Sequence, residues 1–233
     1  MERTVCVRGA GIISAAGRDT GENYRSLLRA EPIKGDIQFL STRHKGLLSV
    51  SEVAYSNAEL KEMAGLDATR KLSRTALLGL IAAREAAANA ALSPEELRDC
   101  AFISASSTGG MDQTEIFYPS YVDDADKADM DLIRGHDNGS STEIIAGELG
   151  IGGLTDTIST ACSSAANALL FGYMLIRSGR VRRVIAGGSD ALTAFTLNGF
   201  NTLMILDPEG CKPFDARRRG LHLGEGAAYL VLE

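Results

Sequence analysis

The stretch STACSSAANALLFGYMLIRSG, residues 159–179, decides the fold because it encodes an unusual helix. Arg177 is its only charged residue, and residues 163–178 place small or apolar side chains around most of a helical wheel. A helix that is apolar nearly all round has to be buried nearly all round. A helix lying on one sheet still shows its outer face to water. We therefore expect a second layer over this helix, from elsewhere in a longer protein or from a partner chain.

A cysteine stands at the start of this helix. Residues 155–159 are predicted to form a strand that turns at residues 160–162, which places Cys162 at or just before the helix N-terminus. Unpaired N–H groups and the positive end of the helix dipole favour an anion there, so the thiolate would be a good nucleophile. Such a junction also aims its side chain into the crevice beyond the carboxyl end of the sheet. The alternative is a small buried hydrophobic residue, since free cysteines are among the most buried residue types.

The rest of the chain alternates predicted strands with predicted helices, which favours a layered α/β domain. A long alanine-rich helix is predicted over residues 69–91, and a shorter one over residues 141–149 with Ser140 or Ser141 as its cap. Gly9-Ala10-Gly11 is predicted to form a turn after the first strand. The predicted strands are residues 4–8, 101–106, 155–159, 182–187 and 227–233.

Composition excludes several classes of function. The 233 residues carry a formal net charge of −6, which gives no electrostatic reason to bind nucleic acid or an anionic membrane. The basic run Arg217-Arg218-Arg219 is interpreted as a solvated loop. No stretch is long enough to span a bilayer, no leader peptide is evident, and the widely spaced cysteines and histidines suggest no metal site. We expect a cytoplasmic protein with free thiols and no cofactor.

The residues around Cys162 resemble a known nucleophile motif. Thr160-Ala161-Cys162-Ser163-Ser164-Ala165 is similar to that of the β-ketoacyl synthases, the condensing enzymes of fatty-acid and polyketide assembly. Further segments resemble the same family in the same order along the chain. They are residues 7–14 (VRGAGIIS), 106–110 (SSTGG), 185–190 (IAGGSD), 212–215 (KPFD) and 224–227 (GEGA).

The resemblance implies a fold and a chemistry. The expected fold is the N-terminal half of a thiolase-like fold, a layered αβα domain over residues 1–233 with a mixed five-stranded sheet and a buried nucleophile helix. Cys162 would carry the acyl group, and its backbone N–H would be part of the oxyanion hole. Thr108 and Phe200 match positions that border the acyl pocket. The resemblance implies acyl carrier protein with acyl and malonyl thioesters as partner, and a homodimer or a heterodimer with a related synthase subunit.

The sequence departs from the family in one respect that bears on activity. Synthases pair their cysteine with two histidines in the C-terminal half. None of His44, His136 and His222 has the corresponding sequence context. The sequence resembles roughly the first half of a synthase, so we expect that this chain alone does not complete a condensation. Glu225 is expected to stabilise a turn rather than to act in catalysis.

Three other classes of protein share features with this sequence. Residues 9–14 imitate a dinucleotide-binding fingerprint, but Ser14 replaces its third glycine and no acidic strand end follows at the expected distance. A thiolase or a CoA-primed condensing enzyme shares the fold but has a different nucleophile motif. A non-catalytic partner subunit that sets chain length is the main rival. Such subunits generally lack the cysteine that this chain has.

Overall fold

A mixed five-stranded sheet forms the centre of the domain. The computed structural model of the protein describes residues 4–30 and 33–233. The sheet order is β1-β7-β6-β4-β5, with β7 antiparallel to β1 and β6, and β4 parallel to β6 and β5. A two-stranded ribbon, β2-β3, lies apart from it. The strands are β1 Val7–Ser14, β2 Gly35–Asp36, β3 Ser49–Val50, β4 Ala101–Ala105, β5 Thr155–Ile158, β6 Val184–Asp190 and β7 Gly226–Leu232.

Within the described residues, an aspartate, serine or threonine side chain caps the N-terminus of five of the eight α-helices. Ser73 accepts a hydrogen bond from the backbone N–H of Ala76, so α3 begins at Arg74 and not at residue 69 as predicted. The helix predicted over residues 141–149 begins earlier, at Asn138, with Asp137 as its N-cap residue. The helices are α1 Thr20–Arg29, α2 Asn57–Met63, α3 Arg74–Asn89, α4 Pro94–Arg98, α5 Met111–Asp123, α6 Asn138–Leu149, α7 Ser164–Arg177 and α8 Ala194–Thr202.

Helices cover the sheet on both faces, which gives the expected αβα layers. On one face, α3 and α6 bury a core that includes Leu77, Ile145 and Tyr229. On the other face, α7 packs Leu175 and Ile176 against the strands β4 and β6. The predicted α/β class and the mixed sheet are confirmed.

The predicted turn at Gly9-Ala10-Gly11 is wrong, because β1 runs straight through these residues. The glycines instead allow α3 to lie close to the strand. A Cβ atom on Gly11 would lie 2.1 Å from the carbonyl oxygen of Ala82, and one on Gly9 would lie 2.6 Å from that of Ala86. These glycines are therefore explained by helix-to-strand packing, and the segment does not form the turn of a dinucleotide-binding loop.

Helix α7 is buried on its inner face only. Ala168 and Leu175 are almost fully buried against the sheet, whereas Leu170 and Met174 on the opposite side are 54% and 56% exposed. The expectation of a helix buried all round is not met by this chain, because the sheet is a single layer and covers one side. That a further layer covers the outer face stays a prediction. No helix within the described residues is long and apolar enough to cross a membrane.

Candidate active site

A sharp elbow between β5 and α7 presents Cys162. The strand ends at Ile158 and the helix begins at Ser164, so the cysteine lies just before the helix. Ala161 has a φ of 53°, in the left-handed region that residues with a Cβ atom rarely adopt. This turn leaves the Cys162 side chain exposed.

Hydrogen bonds to one carbonyl group hold the elbow. The Ala161 carbonyl oxygen accepts from the hydroxyl of Ser164 at 2.6 Å and from its backbone N–H at 3.1 Å. The Ser107 hydroxyl, on the loop after β4, donates to the same oxygen at 3.1 Å. The backbone N–H of Thr160 donates to the Ser164 hydroxyl at 2.8 Å. The conformation of the elbow is thus stabilised both from its own helix and from a neighbouring loop.

Cys162 lies on the wall of a cleft of about 420 Å³. Small residues at the ends of several strands leave this space open, among them Ala105, Gly188, Gly226 and Ala228. Ala165, in the first turn of α7, lines it as well. The cleft provides room for a substrate chain beside an exposed thiol.

Asp190 organises the loop that borders this cleft. It is the last residue of β6 and lines the cleft itself. Its Oδ1 atom accepts from the Ser106 hydroxyl at 2.8 Å, from the backbone N–H groups of Ser107 and Thr108 at 2.8 and 3.0 Å, and from the Thr108 hydroxyl at 3.0 Å. Sequence reasoning did not single out Asp190. The signal was an acidic residue at the end of a buried strand, two residues after its paired glycines.

The two predicted pocket residues lie outside the lining of this cleft as the described part of the chain defines it. The Thr108 hydroxyl is bound to Asp190, and Phe200 lies partly buried on α8. The structure places Thr108 on the loop next to the cleft but does not bring Phe200 to it. Their contact with an acyl chain stays a prediction.

Glu225 lines the cleft and forms a buried ion pair with Arg74. The Arg74 Nη2 atom lies 2.6 Å from the Glu225 carboxylate, and the two side chains are 7% and 0% exposed. The backbone N–H groups of Val53 and Leu192 also donate to this carboxylate, at 2.9 and 3.0 Å. Glu225 therefore joins separate segments of the fold through long-range contacts, rather than stabilising a turn as predicted.

The histidines lie elsewhere. The His44 side chain is buried and its Nε2 lies 2.9 Å from Asn198 Oδ1. The Nδ1 atom of His136 lies 2.8 Å from the Thr114 hydroxyl. Burial lowers the pKa of His222. Over residues 4–30 and 33–233, none of the three lines the Cys162 cleft.

Comparison with known proteins identifies the family. Residues 2–233 match the model of "Beta-ketoacyl synthase, N-terminal domain". The chain belongs to the β-ketoacyl synthase family. This synthase domain is 31% identical to Nodulation protein E of Rhizobium meliloti (strain 1021), over 100% of this chain and 58% of that protein. It is 26% identical to the putative polyketide beta-ketoacyl synthase 1 of Streptomyces halstedii, with the same coverage.

Solved structures confirm the thiolase-like ketosynthase fold. The structure of the ishigamide ketosynthase/chain length factor is 27% identical to the synthase domain with a TM-score of 0.92, covering 100% of this chain and 59% of the other. A chain of the AntDE:AntF structure, a type II PKS acyl-carrier protein in complex with its ketosynthase, is 22% identical with a TM-score of 0.81, over 100% of this chain and 58% of that one. At this identity the likeness supports the fold only. The chain spans about 58% of the length of the curated relatives named above.

Proposed function

We propose that this domain supplies the nucleophile for a decarboxylative Claisen condensation in fatty-acid or polyketide synthesis. The observation that carries the proposal is Cys162 itself. It is exposed, it lies at a strained elbow on the wall of a cleft, and it stands in the nucleophile motif of the family. Exposed thiols at such junctions are the ones that react.

Two transfers make up the proposed reaction. The Cys162 thiolate attacks the carbonyl carbon of an acyl thioester, a new S–C bond forms, the bond between the acyl carbon and the carrier sulfur breaks, and the carrier leaves as its thiolate. A malonyl thioester then loses carbon dioxide. The resulting carbanion forms a C–C bond with the acyl carbon while the bond to the Cys162 sulfur breaks. Each attack builds negative charge on a carbonyl oxygen, and the backbone N–H of Cys162 would be one donor to it.

The partners are inferred from the apolar surface and from the relatives. The exposed outer face of α7 needs a cover, and the relatives are longer than this chain. We propose that a second α/β layer covers α7, and that condensation requires it. The substrates would be acyl and malonyl groups carried on acyl carrier protein, and the synthase would pair with a second copy or with a related subunit.

A non-catalytic chain-length subunit is the second candidate. The ishigamide ketosynthase/chain length factor and the complex of the ketosynthase ApeO with its chain length factor ApeC are both similar in fold to this chain. An exposed cysteine on the cleft favours the catalytic role over this one.

Selective labelling of the thiols tests the catalytic role. The full-length protein would be treated with limiting iodoacetamide and, separately, with the N-acetylcysteamine thioester of hexanoic acid, and modified peptides mapped by mass spectrometry. Both reagents are expected to modify Cys162 first. Cys6 and Cys211 are also exposed and serve as internal controls. Equal labelling of these three thiols, or acylation that survives Cys162→Ala, would contradict the proposal.

A further inference from the structure

The Ala161 carbonyl and the Cys162 backbone N–H belong to the same peptide group. No cis peptide bond occurs within the described residues, so this group is trans and its C=O and N–H point in opposite directions. Any contact that fixes the direction of the Ala161 carbonyl therefore also fixes the direction of the Cys162 N–H. That N–H is the oxyanion donor of the proposed reaction.

Hydrogen-bond donors from two different parts of the chain hold this carbonyl. Ser164 donates to it from the start of α7, only a few residues along the chain. The Ser107 hydroxyl donates to it at 3.1 Å from the loop after β4, which is remote in sequence. A residue such as Ala161, in a sparsely populated backbone region, keeps its conformation only when its surroundings over-determine it. Ser107 supplies the part of that constraint that comes from outside the elbow.

Asp190 in turn holds Ser107. Its carboxylate accepts from the Ser107 backbone N–H at 2.8 Å, and it binds Ser106 and Thr108 on either side. The loop is thus fixed to the end of β6, and the hydroxyl of Ser107 is presented to the elbow. A continuous series of hydrogen bonds runs from Asp190 through Ser107 to the peptide group that begins at Ala161.

We propose that Ser107, held by Asp190, is a positioning residue that aims the backbone N–H of Cys162 at the carbonyl oxygen of an acyl thioester. The inference rests on the proposed function, because it concerns the oxyanion of that reaction. Ser107 acts through the Ala161 carbonyl and need not touch the substrate.

The proposed role of Ser107 predicts different effects on two reactions of the Cys162 thiol. Attack on a thioester builds a tetrahedral oxyanion that needs the N–H, whereas alkylation by iodoacetamide displaces iodide and builds no oxyanion. Deleting a donor outright typically costs about 100- to 1,000-fold in rate. Losing the Ser107 hydrogen bond leaves the donor in place but less firmly oriented, so the cost should be smaller. We expect the rate of Cys162 acylation to fall about tenfold and the rate of its alkylation to fall less than about twofold.

The experiment compares both rates in the full-length protein. Ser107→Ala removes the hydroxyl at an exposed position, so the variant is expected to fold. The acyl donor is the N-acetylcysteamine thioester of hexanoic acid, and acylated protein is followed by intact mass under single-turnover conditions. Ser107→Thr, which keeps a hydroxyl, should restore acylation to within about threefold of the unchanged protein. Ser93→Ala, which removes a helix cap far from the cleft, is the matched control and should alter neither rate by more than about twofold.

Asp190 is tested by coupling. Asp190→Asn should slow acylation, and adding Ser107→Ala to it should slow it no more than about twofold further, since both changes act through one contact. If the effects of the two substitutions on the acylation rate multiply in the double variant, the role of Asp190 is overturned. Unchanged acylation in Ser107→Ala, or an equal fall in acylation and alkylation, would overturn the role of Ser107. A full-length protein that is alkylated at Cys162 but never acylated would instead refute the proposed function.

Discussion

Replacing Glu225 with alanine is expected to destabilise this fold strongly. The substitution leaves the Arg74 guanidinium buried without its counter-charge, since the Arg74 side chain is 7% exposed. It also removes the acceptor for the backbone N–H groups of Val53 and Leu192. These donors come from the segment before α2 and from the segment after β6, so one carboxylate holds parts of the chain that are far apart in sequence.

The magnitude follows from the burial of the pair. Removing one partner of a buried ion pair costs about 3–5 kcal/mol, because the remaining charge keeps its desolvation penalty. For a domain of this size each kcal/mol lowers the melting temperature by about 2–4 °C, so we expect a fall of about 6–20 °C. Glu225→Gln keeps acceptor oxygen and volume and should lose less. The double variant Arg74→Met with Glu225→Leu should recover only part of the loss, because it removes both charges but still leaves the Val53 and Leu192 N–H groups without their acceptor.

Urea and thermal unfolding of the full-length protein, followed by circular dichroism, would measure these changes. Glu95→Ala is the matched control, because the Glu95–Arg98 pair is exposed and such pairs contribute less than about 1 kcal/mol. The prediction is wrong if the free energy of unfolding of Glu225→Ala lies within about 1 kcal/mol of that of the unchanged protein. It also fails if the double variant is less stable than either single one.

Three further changes test other parts of the fold. Gly11→Ala should destabilise it by at least about 1–3 kcal/mol in urea unfolding, because its Cβ would lie 2.1 Å from the Ala82 carbonyl oxygen; an unchanged midpoint would contradict this. Burial lowers the pKa of His222 in the folded protein. As the pH falls, the unfolded chain therefore binds a proton at this histidine before the folded protein does, and the free energy of unfolding should decrease below about pH 6.5. His222→Gln should make stability less dependent on pH in this range, as measured by urea midpoints at several pH values. Hydrogen bonding to Arg183 lowers the pKa of Glu233 to about 2, so the ionised Glu233 contributes fully to the free energy of unfolding above about pH 4.5, and this contribution is lost towards pH 2. Glu233→Gln should therefore reduce the fall in stability between about pH 4.5 and pH 2. An unchanged fall in the urea midpoints over this range would refute the prediction.

The sequence was sufficient to locate the nucleophile helix and its cysteine. The boundaries of α7 follow from the apolar run of residues 163–178, and the strand before it follows from residues 155–159. These predictions rest on a local apolar run and on the residues that bound it, so they required no knowledge of distant contacts. The family resemblance also lay in contiguous segments, which is why it could be recognised from the sequence.

Other features were misread or missed because they depend on distant neighbours. Gly9 and Gly11 appeared to be turn residues, but the proximity of α3 explains them. Asp190 gave little sign of its role, since its hydrogen-bond donors come from the loop after β4, about eighty residues earlier in the chain.

The sequence by itself determined the class of the fold, the position of Cys162 and the apolar nature of the helix behind it. Each of these features depends on side chains that are adjacent or one helical turn apart in the sequence. Their physical cause is therefore local and can be inferred from the sequence alone. Only the tertiary structure decided that Asp190 and Ser107 hold the elbow, that Glu225 pairs with Arg74, and that α7 keeps one open face. Such contacts form between segments far apart in the chain, and their partners are chosen by packing rather than by local sequence.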